Sequence, residues 1–252
     1  MTQIASPQNP RLKALRRLHG KRERARSGRF LAEGEDLIAA ARRAGWPAVE
    51  GYRLAGSELG GIDFLDVERS ALARVSMLGS GTRAIGVYEQ RWIQAPKGPL
   101  CVYLHGVGDP GNVGTVLRSA QAFGASCVAL GPGCADPHSP KAVRASMGAI
   151  FAVALARVDG LEELPGERIA LVADAAESLR GPEGDAPGGP VTLLVGAERE
   201  GLPPDVVAAC ARTARIPIAS ESLNAAMAAT VALYEMTRQA ADAPASSRVR
   251  TS

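Results

Sequence analysis

Apolar positions in the first turns of the chain recur at a helical interval. Leu12, Leu15 and Leu18 share one side of a stretch otherwise crowded with Lys and Arg, which predicts a helix with a single apolar seam. After Gly28, FLAEGEDLIAAARRAG reads as a short strand or turn followed by an amphipathic helix ending at Gly45. The runs VEGYRLAG, IDFLDVE and AIGVYEQ, each bounded by Gly or polar turns, suit a small α/β unit, and RWIQAPKGP reads as a linker. From Pro99 the pattern alternates. PLCVYLHGV is a strand, NVGTVLRSAQAFGA a helix closed by Gly124, and CVALG a strand. A Gly/Pro-rich loop, GPGCADPHSP, leads into KAVRASMGAI. RIALVAD and VTLLVG are further strands, separated by GPEGDAPGGP, read as a flexible surface loop. After the turn AEREGLPP come a helix (VVAACA), a strand (ARIPI) and a long helix from near Ser222 to about Ala240. Strands alternating with helices predict a mostly parallel sheet covered on both faces. The expected division is a domain over 1–95, a second over 98–240 and a disordered polar tail over 241–252.

Composition changes this picture little. The chain has 252 residues, 46% of them hydrophobic and 22% charged, as in a globular protein with a sizeable core. No apolar run reaches the roughly 18 residues that a membrane span needs, and the N-terminus lacks the apolar core of a secretory signal. Cys101, Cys127, Cys134 and Cys210 show no CxxC spacing, and His19, His105 and His138 are scattered. Free thiols in a reducing cytoplasm are therefore expected, with no metal site.

Charge is informative through its placement. Net charge is only +3, yet nine Lys/Arg lie between Arg11 and Arg29 against one acid, Glu23. Such density neutralises phosphates and gives affinity for nucleic acid without sequence readout. A solvated helix face has the same composition.

GVGDPG, from Gly106 to Gly111, fits the GxGxxG fingerprint, follows a strand and opens a helix. That is the context of a dinucleotide site, and it raises an NAD-dependent oxidoreductase as an alternative. Two features oppose it. CVALGPG carries no acid to hold ribose hydroxyls, and Pro110 removes an amide donor from the loop.

Three blocks carry a more specific likeness: DPGNVGTVLRSAQAFGA (Asp109 to Ala125), LLVGAEREGLP (Leu193 to Pro203) and IPIASESLNAAMAATVALYE (Ile216 to Glu235). In order and spacing they resemble the SpoU/TrmH branch of the SPOUT RNA methyltransferases. SPKAVRASMGAIF and the N-terminal NPRLKALRRL…GRFLAEGEDLI are also similar to that family. The resemblance implies an α/β fold whose C-terminal domain has a mostly parallel sheet with a deep trefoil knot, preceded by a small α/β substrate-binding domain. It also implies S-adenosylmethionine as cofactor, and a cytoplasmic homodimer with its active site near the subunit interface.

The resemblance assigns residues as well. Arg118 matches the catalytic arginine, and Asn112, Glu198, Ser222 and Asn224 match its polar companions. Gly196, Ile216 and Leu223 match positions whose backbone holds the adenosyl group. The chemistry is coherent. Methyl transfer from a sulfonium needs positioning and removal of a hydroxyl proton, and an arginine, with a pKa of about 12.5 or higher, is a poor base. Arg118 contacts the target phosphate and either accepts that proton or stabilises the alkoxide as it forms; the alternative is a phosphate anchor with no proton role. Asn112, Ser222 and Asn224 also suit helix capping, and Ile216 and Leu223 suit core packing. Arg144 and Ser146 either touch RNA phosphate or brace their loop. His105 and His138 have no sequence partner.

The expected activity is methylation of a ribose 2′-hydroxyl of structured RNA, ribosomal before transfer RNA, recruited by Arg11, Lys13, Arg16, Arg17, Lys21, Arg22 and Arg144. A catalytically inactive RNA-binding or ribosome-assembly protein of the same fold is the alternative. One departure favours it: only Ala219, Ser220 and Glu221 separate the IPI segment from SLN, where the family commonly has a longer, glycine-containing loop.

Overall fold

The computed structural model describes residues 3–77, 81–179, 189–220 and 222–242. The expected surface loop over 181–190 lies almost wholly outside these, as does the expected tail from 243 onward. The chain forms two compact units. The first comprises 1–91 with 109–118 and 136–152, the second 92–108, 119–135 and 153–252.

The first unit opens with α1 (Pro10–Arg17) and α2 (Lys21–Ser27) in place of one continuous basic helix. Asn9 caps α1, its side chain accepting from the Arg11 amide. The helix tightens into three-residue turns at Leu18, His19 and Gly20, and glycine, a poor helix former, then starts α2. The seam Leu12, Leu15 and Leu18 is buried as expected. It packs with Leu31, Tyr52, Ile85 and Val87 of a four-stranded sheet. That sheet comprises β1 (Arg29–Glu33), β2 (Glu50–Leu54), β3 (Phe64–Val67) and β4 (Ala84–Glu89), ordered β1-β4-β2-β3. Between its strands run α3 (Glu35–Arg43) and the short α4 (Arg69–Ala73).

The second unit is built on six parallel strands: β5 (Leu100–Leu104), β6 (Cys127–Leu130), β7 (Ala154–Arg157), β8 (Glu167–Leu171), β9 (Val191–Val195) and β10 (Arg212–Ala214). Their order is β10-β8-β9-β5-β6-β7. Every residue of β6 and β9 is buried, as in strands covered on both faces. Strand β7 has no counterpart in the sequence reading, because one apolar run, AIFAVALA, merges it with the 3-10 turn at Ala149–Phe151. β10 stops short of the expected ARIPI strand. Pro217 has no amide to give a ladder, and Arg215 turns aside to donate its amide to the Glu177 carbonyl.

Among the described residues four more helices follow: α5 (Pro110–Ala122), α6 (Pro140–Ala145), α7 (Pro204–Ala208) and α8 (Ala225–Asp242). The closing helix starts three residues beyond Ser222 because Asn224 caps it, its Oδ1 accepting from the amides of Ala226 at 2.9 Å and Met227 at 3.3 Å. Among the described residues no helix is long and apolar enough to cross a membrane. All four cysteines are free.

Candidate active site

In the second unit the chain leaves β9 at Gly196 into a tight hairpin. Ala197 and Gly201 exchange both backbone hydrogen bonds, at 3.2 and 3.0 Å. A Cβ on Gly196 would sit 2.2 Å from the Gly201 carbonyl carbon, and Gly201 itself holds φ +67°. Two glycines are therefore required for the turn to close on itself. Glu198, Arg199 and Glu200 are exposed at its tip.

The hairpin forms one wall of a cavity of about 370 Å³. Residues following β8 (Val172 to Asp174) form another, and Ile216, Ile218, Ser222, Leu223 and the first turn of α8 complete it. It thus lies at the carboxyl ends of adjacent parallel strands, where open α/β sheets bind their ligands. Its size falls within the roughly 300–1,000 Å³ of small-molecule sites. Five residues named from the sequence converge here from separate segments: Gly196, Glu198, Ile216, Ser222 and Leu223. Asn224 does not line the cavity; its side chain is spent on the α8 cap. Asp174 lines it without having been singled out. The available signal was the acid that closes the strand-like run RIALVAD.

Asn112, Arg118 and Arg144 belong to the first unit. The cap of α5 is Asp109, ahead of the expected Asn112: its carboxylate accepts from the Asn112 amide at 3.0 Å. Its other oxygen accepts from Lys141 Nζ at 2.5 Å. That ammonium, more than the backbone amides of the cap, holds the Asp109 carboxyl below the usual carboxylate range. Arg118 lies in the third turn of α5, exposed. At Gly114 the helix meets α6 so closely that a Cβ would come within 2.3 Å of the Ala142 carbonyl oxygen.

Within KAVRASMG the two candidate residues differ in exposure. Ser146 is buried, donates to the Val143 carbonyl at 2.7 Å and accepts from the Ile150 amide, so it braces the loop. Arg144 is exposed. Of the N-terminal cations, Arg11, Lys13, Arg17, Lys21 and Arg22 are exposed, whereas Arg16 is half-buried and donates to the Pro7 carbonyl. Arg24 is 3% exposed, with its guanidinium on Asp136 at 2.8 Å and on the carbonyls of Leu18 and His19. It is a structural ion pair within the basic run. The histidines have structural surroundings: His105 Nδ1 meets the Tyr103 hydroxyl at 2.9 Å, and His138 packs 4.8 Å from Phe30, centroid to centroid. Among the described residues no group of three or more His, Cys, Asp or Glu is placed to hold a metal.

The SpoU rRNA Methylase family model matches residues 99–234, and that of the MRM3-like substrate binding domain matches residues 9–80. Along its length the chain is similar to a 23S rRNA (uridine(2479)-2'-O)-methyltransferase of Streptomyces viridochromogenes, with 31% identity over 92% of this chain and 90% of the relative. It is also similar to the Bacillus subtilis 23S rRNA (guanosine(2553)-2'-O)-methyltransferase RlmP, with 27% identity over 94% of this chain and 99% of that one. Among solved structures, the AdoMet-bound rRNA methyltransferase from Sinorhizobium meliloti aligns with a TM-score of 0.83 and 31% identity, covering 94% of this chain and 97% of that one.

Proposed function

The chain belongs to the SpoU rRNA methylase family, and from that premise we propose that it transfers a methyl group from S-adenosylmethionine to a ribose 2′-hydroxyl of ribosomal RNA. The observation that carries this reading is the cavity at the carboxyl ends of β8 and β9. Residues from three separated segments line it, and its chemistry suits the cofactor. Ile216, Ile218 and Leu223 offer an apolar wall for an adenine ring, and the strand ends offer main-chain donors and acceptors for its edge. Asp174, Glu198 and Glu200 give the lining three carboxylates against one guanidinium, Arg199, a balance that favours a cationic sulfonium over a dianionic dinucleotide. When bound, the cofactor supplies an activated methyl group.

The protein's own residues supply the rest. Gly196, Ile216 and Leu223 hold the adenosyl portion. Arg118, exposed and cationic, grips the phosphate beside the target ribose and stabilises negative charge on the 2′-oxygen as its proton passes to bulk water; it acts as an electrostatic anchor. Glu198 and Ser222 orient groups at the cavity mouth. Asn112 contacts the RNA backbone, and Asn224 sets the first turn of α8, on which Ser222 and Leu223 depend. Arg11, Lys13, Arg17, Lys21 and Arg22, with Arg144, neutralise phosphates of the RNA.

The larger arrangement follows the family: a substrate-binding domain over 1–95, a transferase domain over 98–240 knotted as a deep trefoil, and a cytoplasmic homodimer. Met227 and Tyr234, exposed seven residues apart on α8, supply an apolar strip for the second copy.

Calorimetric titration tests the reading. S-adenosylmethionine binds the wild type, and Gly196→Val, which pushes side-chain atoms into Gly201, loses that binding. Absence of cofactor binding at millimolar concentration would return the chain to the non-catalytic alternative, and binding of a nicotinamide dinucleotide instead to the oxidoreductase.

A further inference from the structure

Of the three carboxylates that line the cavity, Asp174 alone reaches it from the β8 side; Glu198 and Glu200 belong to the hairpin that follows β9. It stands outside all three motif blocks. Its backbone is pinned on either side. The Val172 amide donates to the Ala214 carbonyl at 3.0 Å, and the carbonyl of buried Ala175 accepts from the Arg215 guanidinium at 2.5 Å. Arg215 also donates to the Ala176 carbonyl at 2.6 Å. The Asp174 side chain takes no part in this bracing. It is exposed, and among the described residues no hydrogen bond or ion pair engages its carboxylate, from Arg199 or from any other cation.

A fixed turn that presents an uncommitted carboxylate to a cavity favours a positive charge on whatever fills it. S-adenosylmethionine carries two such charges, and they differ in kind. The α-ammonium has its own carboxylate beside it, so that end of the molecule is a zwitterion with little net attraction for an acid. It also needs hydrogen-bond acceptors in defined directions. The sulfonium is the net charge of the molecule and has no N–H or O–H to donate, so a protein recognises it through charge. A single acid at the cavity wall suffices. Methyl transfer abolishes that charge: an oxygen lone pair of the ribose forms the O–C bond, the S–C bonding pair stays on sulfur to leave a neutral thioether, and the hydroxyl proton passes to bulk water.

We infer that Asp174 is a specificity-determining residue that reads the charge state of the cofactor: its carboxylate attracts the methyl donor through the sulfonium and offers no such attraction to the spent thioether. Discrimination between donor and product is thereby built into the wall of the cavity. The inference rests on the S-adenosylmethionine-dependent reading above.

The test is calorimetric titration of the full chain with S-adenosylmethionine and, separately, with S-adenosylhomocysteine, which lacks the methyl group and the sulfonium charge but keeps the adenosyl and amino-acid portions. Asp174→Asn preserves the size of the side chain and removes its charge. Glu177→Gln, at an exposed position that does not line the cavity, makes the same change in net charge and serves as the control. The expected result in Asp174→Asn is a Kd for S-adenosylmethionine raised about tenfold, with that for S-adenosylhomocysteine within about twofold of wild type. Glu177→Gln should leave both within about twofold. Equal weakening of both ligands in Asp174→Asn would put the carboxylate on the α-ammonium or in the architecture of the cavity, and overturns the inference. So does a change in neither, or an equal shift in Glu177→Gln. A wild type that binds neither ligand overturns the methyltransferase reading beneath it as well.

Discussion

Single side chains divide the basic stretch into two populations that composition cannot separate. Arg24 is enclosed and fully hydrogen-bonded, whereas its neighbours Arg22 and Arg26 are exposed. Removing one partner of a buried pair leaves the other charge uncompensated, so Arg24→Ala should cost about 3–5 kcal/mol in urea unfolding. Lys21→Ala or Arg22→Ala should cost less than about 0.5 kcal/mol. Arg118 makes the opposite prediction. It is exposed, so Arg118→Ala should leave the unfolding midpoint and cofactor affinity unchanged while methyl transfer falls at least a hundredfold, the scale of removing a principal transition-state electrostatic interaction. Which arginine is structural was not legible from spacing, because Arg24 owes its burial to Asp136, 112 positions away in the chain.

At the scale of elements, the sequence was most legible where one period ran uninterrupted. The seam Leu12, Leu15 and Leu18, the all-apolar β6 and the largely apolar β9 were readable because their burial follows from pattern alone. Boundaries failed where a local side chain or a missing donor decided the outcome: Asp109 in place of Asn112 at the start of α5, Pro217 beyond β10, and Gly20 between α1 and α2. Strand β7 was hidden inside a longer apolar run. The crossing of α5 and α6 offers a test in which two effects oppose each other. Alanine is the better helix former by about 1 kcal/mol, but at Gly114 its methyl would meet the Ala142 carbonyl oxygen at 2.3 Å. Backbone cannot yield as a flexible side chain does, so the clash should win. Gly114→Ala should destabilise by about 1–3 kcal/mol in chemical denaturation, against a gain if the helices were free to separate.

For the molecule as a whole, charge and burial set the response to solvent. The exposed cations of α1 and α2 predict RNA binding that weakens steeply with salt. Replacing Arg11, Lys13 and Arg17 by Gln should flatten the log–log salt slope by about 0.9 for each phosphate that is no longer neutralised, read by filter binding. Burial pushes the Tyr88 and Tyr103 hydroxyls up to about 12, with the Cys134 thiol adding to the effect at Tyr103. The unfolded chain releases those protons near pH 10 while the folded chain keeps them, so their contribution is whole below about pH 10 and lost as pH rises towards about 12. Denaturant midpoints should therefore be insensitive to these groups near neutrality and fall between about pH 10 and 12. The cavity proposed for the cofactor was legible only through three motif blocks held together by family likeness. Periodicity places their strands, but the order β10-β8-β9-β5-β6-β7, which brings Gly196, Ile216 and Leu223 to one edge, is a property of topology that no local pattern encodes.

The most direct test of the methyltransferase account is to incubate wild type and Arg118→Ala with unmodified 23S ribosomal RNA and labelled S-adenosylmethionine, then map 2′-O-methyl positions by alkaline-hydrolysis protection. The account predicts stoichiometric label at a discrete ribose with wild type and none with Arg118→Ala, although both proteins bind the cofactor. Label on a base, or equal ribose labelling by both proteins, would contradict it.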